Sequence, residues 1–299
     1  MNRAPKKWAR RSESDPSDEM SRLDSGYEVC PPAPVLQPFI SHYAGFCAHG
    51  LTPGTHAGLP SRHAHLIISL GAPIDVLQMP SPAQHAGGFT ALVSGLQDAP
   101  ATVRRGGSWE GLHVFLTPFG VRAILGVSGA DVASRVFDLS DLWGRACAGL
   151  IERLRDAATC QTRFAVLDDV FVRALMPIER PPAVVWAWRQ LAASHGRRSI
   201  AGLARGIGWS RPHFTERFRA ELGVTPKTAA RIFRFEQACR MIKDARPRLA
   251  DVAVACGYHD QSHMTREWNR LAGCSPRAWI SSELPFLQDY ELADGDDDV

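Results

Sequence analysis

The sequence predicts an α+β chain in two parts: a β-rich N-terminal domain with trailing helices, then an all-α C-terminal domain with two helix-turn-helix motifs joined by a long helix. Three observations carry this. Short apolar runs bounded by Gly and Pro fill residues 39–117, the pattern of strands in a sandwich or small barrel. From Pro118 the apolar spacing turns helical. The C-terminal third contains one segment written twice, at 200–226 and at 249–276.

In order along the chain, residues 1–30 are expected to be disordered, being basic and then mixed in charge without an apolar core. They hold no secretory signal. Pro31, Pro32 and Pro34 mark entry to a first domain over 31–180. Strands are expected at 39–47, 65–70, 74–78, 90–96 and 113–116, and helices at 130–134, 139–157 and 163–175. Pro177, Pro181 and Pro182 form a linker. A second domain spans 183–285, opening with a helix at 184–194, and an acidic tail occupies 286–299. The best apolar stretch, 66–79, is broken by Gly71, Pro73 and Asp75, so no membrane partner is expected.

The two copies match at an offset of 49 before their turn, as in Leu203 with Val252 and Trp209 with Tyr258. After it they match at 50, as in Phe214 with Met264, Phe218 with Trp268 and Pro226 with Pro276. The second turn therefore holds one extra residue. A glycine-containing turn between two short amphipathic helices is the helix-turn-helix pattern. Phe214, Phe218 and Leu222 form one buried stripe, and Met264, Trp268 and Leu271 the other. Beside them lie polar stripes: Arg211, Thr215 and Arg219 with Glu216, and Gln261, Thr265 and Asn269 with Ser262 and Arg266. Arg, Gln and Asn can pair bidentately with base edges, and Thr can meet a thymine methyl. One such residue is ordinarily a solvated helix position; two such faces point to a reader of double-stranded DNA.

Charge agrees. Of 34 Lys+Arg and 31 Asp+Glu, residues 183–280 hold 17 and 7, leaving 17 and 24 elsewhere. A basic third on an acidic remainder suits a polyanionic partner for that third alone. Between the copies, Pro226 fits a helical first turn and no breaker follows until Pro247. About 20 residues at roughly 1.5 Å each give a rod near 30 Å, close to the roughly 34 Å between successive major-groove faces. Arg231, Arg234 and Arg240 on this rod could contact phosphate or form packing ion pairs.

These residues resemble the DNA-binding domain of AraC-type transcription factors. The resemblance runs from about 184 to 285 and rests on Ile200, Ala204, Gly208-Trp209-Ser210, Gly223-Val224-Thr225-Pro226, Arg234, Ala238, Gly257-Tyr258, Gly273 and Ser275-Pro276 with Trp279. It implies base contacts from Arg211, Pro212, Thr215 and Glu216, and from Gln261, Ser262, Thr265 and Arg266. It also implies a cupin-like barrel that binds a small-molecule effector or dimerises, with RNA polymerase as a further partner. Three residues depart from the pattern. Pro212 removes a backbone donor, Glu216 would repel phosphate, and His259 stands where a small polar cap is common.

For the N-terminal domain, Phe46, His63, His65, Phe89, Trp109 and Phe115 are the candidate pocket residues. His63 and His65 would face one side of a strand and could meet a metal, with Glu110 and His113 as late ligands. The glutamate that metal-binding cupins place next is missing, since Ser69 and Leu70 stand there. A metalloenzyme or metal sensor fused to a DNA-binding domain is thus the alternative to a sensor domain with no catalytic residues, no metal and no cofactor. Seven scattered cysteines without a C-x-x-C pair form neither a disulfide framework nor a zinc site and suit a cytosolic chain.

Overall fold

The computed structural model describes residues 25–245 and 247–282. The acidic tail and the first 24 residues of the expected disordered N-terminus lie outside the described residues. Residues 25–30, expected to be disordered, instead form strand β1 (Ser25–Cys30). Its backbone pairs along β2 (Ile40–Gly58) from Ser25–Ala48 to Cys30–Tyr43. A paired edge needs no strong side-chain alternation, which is why local composition misread it.

Six more strands complete the sheet: β3 (Ala64–Ser69), β4 (Ile74–Gln78), β5 (Gly87–Phe89), β6 (Ala91–Ser94), β7 (Ala101–Leu116) and β8 (Val136–Asp138). All pairings are antiparallel, in the order β1-β2-β7-β3-β6-β8, with β4 joining β7 and β5. The sheet is an open barrel: among the described residues no ladder joins β1 to β8. Strands β2 and β7, of 19 and 16 residues, run far past the segments predicted from their apolar ends. The missed halves are Gly-, Thr- and Arg-rich and mostly exposed or half-buried, held by mutual pairing from Leu51–Gly107 to Gly58–Ala101.

One face of the sheet packs on helices. A π-helical turn (Val121–Leu125), α1 (Gly129–Val132) and α2 (Leu139–Trp143) lead to α3 (Arg145–Asp156) and α4 (Cys160–Ala174). The expected single helix over 139–157 is therefore two helices parted at Gly144. Leu150, Leu154, Phe164, Leu167 and Phe171 meet Tyr43, Leu66, Ile68, Leu112 and Val114 in one buried core.

The C-terminal domain is all helix: α5 (Pro182–Ala193), α6 (Ile200–Gly206), α7 (Arg211–Leu222), α8 (Pro226–Ala245), α9 (Leu249–Ala255), α10 (Gln261–Ala272) and α11 (Pro276–Ser282). Each helix pair closes its own core: Leu203, Phe214, Phe218, Leu222 and Phe233 in the first, Val252, Met264, Trp268, Leu271 and Trp279 in the second. The 20-residue α8 contributes to both.

Candidate nucleic-acid interface

Ser210 caps α7, its hydroxyl accepting from the His213 backbone amide. Pro212 then occupies the second helical position, where a backbone N–H has no partner within the helix. Its missing donor costs the helix nothing. In the second motif the cap is Asp260, whose carboxylate accepts from the His263 amide at 2.7 Å. The extra turn residue moves His259 out of the cap position, and its ring instead lies 2.9 Å from the Asp260 carboxylate. The His259 hydrogen bond, followed by the one from the His263 amide, holds the Asp260 carboxyl below its ordinary pKa.

The polar stripes face outward as expected. Arg211, Pro212, Glu216 and Arg219 are exposed on α7 and Thr215 is half-buried. On α10, Gln261, Ser262, Arg266 and Asn269 are exposed and Thr265 is half-buried. Phe214 and Phe218 beneath the first stripe, and Met264 and Trp268 beneath the second, are fully buried, which fixes each helix's rotation. Lys227, Thr228, Arg231, His263, Arg266 and Arg270 line a groove between α8 and α10 that also holds Glu267.

Glu267 was not singled out in the sequence, and it organises this motif. Its two oxygens accept from Arg231 at 2.9 Å and from Arg234 at 3.2 Å. Arg234 also donates to the Gly196 carbonyl and lies over the Tyr258 ring. Both arginines therefore tie the rod to α10, and the packing role holds for them.

The N-terminal domain grips both motifs. Leu96 and Phe119 enter the first core and Leu59 enters the second. Arg62 bonds Glu236 of α8 through both its backbone amide and its side chain. Asp98 pairs with Arg270 of α10 at 2.7 Å, and Arg122 with Glu221 of α7 at 3.5 Å.

Inside the sheet lies a cavity of about 100 Å³. Of the six candidate pocket residues, Phe46, His65 and Trp109 line it. Phe89 packs in a small cluster with Val76 and Leu92. Phe115 and His63 lie outside the lining, His63 edge-on to Phe115 with centroids 5.9 Å apart. His65 Nδ1 lies 2.8 Å from His113 Nε2, while His63 sits beside His42 and Phe115. Burial lowers the His63 pKa to about 4 and holds that of His113 well below its ordinary value. Glu110, the other conceivable ligand, is bonded to Arg163 at 2.9 Å. Among the described residues no group of three His, Cys, Asp or Glu stands close enough to hold a metal ion, and no helix is long and apolar enough to cross a membrane.

Two helix-turn-helix units on one rod define a tandem helix-turn-helix domain. The helix-turn-helix domain family matches residues 203–282. The MmsAB operon regulatory protein of Pseudomonas aeruginosa is 31% identical over 85 residues, 28% of each chain. A Streptomyces antibioticus protein described as an AraC-like transcription regulator is 26% identical over 135 residues, 45% of this chain and 40% of that one. By these matches the C-terminal domain is similar to the helix-turn-helix region of AraC-like regulators. The matched stretches span less than half the length of either relative. Among solved structures, fatty-acid-bound ToxT from Vibrio cholerae is 9% identical, with a TM-score of 0.49 over 80% of this chain and 94% of that one.

Proposed function

We propose that the chain is a sequence-specific transcriptional regulator that lays α7 and α10 into successive major grooves of double-stranded DNA. The observation that carries this is the pair of exposed polar stripes, each capped, each backed by its own core, and set at the two ends of a rod near 30 Å long. Arg211, Pro212, Thr215, Glu216 and Arg219 make the first contact surface, and Gln261, Ser262, Thr265, Arg266 and Asn269 the second. RNA polymerase and a second copy of the chain are further partners. The N-terminal domain senses a small-molecule effector and performs no catalysis, which its cavity and its grip on both motifs support.

A genomic footprint of the purified full chain, repeated across a salt series, tests this. The expected result is protection of two adjacent major-groove faces. Affinity should fall linearly on a log–log salt plot as phosphate contacts release counterions. Protection of a single groove face would confine reading to one motif, and absence of any footprint at low salt would remove the regulator reading.

A further inference from the structure

The cavity in the N-terminal sheet has a definite chemistry. Its walls are mostly apolar, with Phe46 and Trp109 beside Ile67, Val76 and Leu92. Its volume of about 100 Å³ approaches that of the cavities of about 150 Å³ that take up benzene. No lysine or arginine lines it, and the carboxylate of Glu110, a lining residue, is held by Arg163. Its polar lining includes the histidine pair, in which one ring must donate and the other accept across 2.8 Å. His113 is 2% exposed, and its Nδ1 is buried without a hydrogen-bond partner. An orphaned buried polar atom is costly unless something fills its bonding capacity. A carboxylate ligand would meet no cation there and would lose its hydration uncompensated.

The cavity wall is also the seat of the DNA-binding domain. Leu59 lines the cavity and sits in the second motif's core with Trp268. Gln97 lines it too, donating to the Gly58 carbonyl at 3.0 Å and accepting from Ser94. The residues flanking Gln97 reach both motifs, Leu96 in the first core and Asp98 on Arg270. A molecule that pushes on Leu59 or Gln97 displaces atoms that position both reading helices.

We propose that this cavity binds an uncharged single-ring molecule bearing one hydroxyl or carbonyl group, with that group on His113 Nδ1, and that occupancy is transmitted to the reading helices through Leu59 and Gln97. The second half of this proposal rests on the reading of the chain as a DNA-binding regulator; the first half does not.

Calorimetric titration of the full chain with benzyl alcohol, acetophenone and benzoate tests the ligand class. The two neutral rings should bind one per chain, with benzoate weaker by about tenfold or more, a step of about 1.4 kcal/mol. In the wild-type chain, nitrogen-resolved NMR should show the His113 ring signals move on adding benzyl alcohol. His113→Leu should weaken benzyl alcohol by about tenfold while leaving toluene binding unchanged. Benzoate binding as tightly as benzyl alcohol, or unmoved His113 signals at saturation, overturns the proposal even if the substituted chain fails to fold. For the second half, affinity for a duplex taken from the chain's own footprint should change severalfold with benzyl alcohol, and Gln97→Ala should shrink that response. Ligand binding without any change in DNA affinity overturns the coupling alone. A chain that binds no DNA with or without ligand overturns the regulator reading and leaves the ligand result standing.

Discussion

The two helix-turn-helix units share a fold and differ in how they are held. Both end their reading helix on a left-handed glycine, Gly223 with φ +80 and Gly273 with φ +74. The first unit is seated chiefly by close backbone approach, with the Arg122–Glu221 pair at 3.5 Å beside it. A Cβ on Gly129 of α1 would come 2.7 Å from the Glu221 carbonyl oxygen, and Leu96 and Phe119 fill in beside it. The second unit is seated by charge: Glu267 between Arg231 and Arg234 inside the domain, and Asp98 on Arg270 across to the sheet. One sequence pattern, written twice, can thus be anchored mainly by backbone contact in one copy and mainly by ion pairs in the other.

The sharpest break of that comparison is Glu267→Ala. It strands two guanidiniums whose side chains are only 9% and 17% exposed, a kind of loss that costs about 3–5 kcal/mol. Urea denaturation should show the drop, and a change below about 1 kcal/mol would place these arginines in the range of solvated surface pairs. Arg234→Ala should likewise act through stability, lowering binding to all duplexes equally.

Gly223→Ala against Gly273→Ala separates the two seats more finely. Each forces an L side chain into the left-handed region at about 1–2 kcal/mol. The Gly223 Cβ would in addition overlap the Gly129 carbonyl oxygen, whereas that of Gly273 meets only the Pro100 Cγ at 3.3 Å. Thermal unfolding should therefore find Gly223→Ala clearly the worse; equal costs would mean that α1 yields freely.

On the reading faces, Gln261→Ala and Arg266→Ala should each relax preference at one base pair by roughly 1–3 kcal/mol, measured by competition among operator variants. Glu216→Gln on α7 should act differently, raising affinity for every duplex by a smaller amount as repulsion from phosphate is removed. A change of base preference with Glu216→Gln would instead make it a base contact. The smallest effect belongs to Asp98→Asn. Its ion pair is exposed, 30% on Asp98 and 62% on Arg270, so stability should shift by no more than about 1 kcal/mol. A larger loss would show that the outer seat contributes more than a solvated surface pair.

Much of the reading domain was legible because its signals are local. The buried triplets Phe214-Phe218-Leu222 and Met264-Trp268-Leu271 follow helical spacing, and Ser210 and Asp260 are cap residues directly before those helices. The Asp260 cap was overlooked although the extra turn residue announced it. Glu267 carried no such signal, because an acid on a basic helix reads as solvated until α8 brings two arginines to it. In the sheet, the exposed halves of β2 and β7 were missed for the same reason: their stability comes from a partner more than forty residues away.

By itself the sequence determined the order of the two domains, the doubled motif, the length of the rod and the residues on both outward stripes. These follow from periodicities and turn residues within a few positions of one another, where propensity and patterning act directly. Only the tertiary structure decided that His65 pairs with His113, that Arg231 and Arg234 are packing residues, and that Leu59 and Gln97 belong at once to a cavity wall and to the seat of the reading helices. Each of these joins atoms far apart in the chain, and such pairings are set by how whole faces pack rather than by any residue's own neighbours.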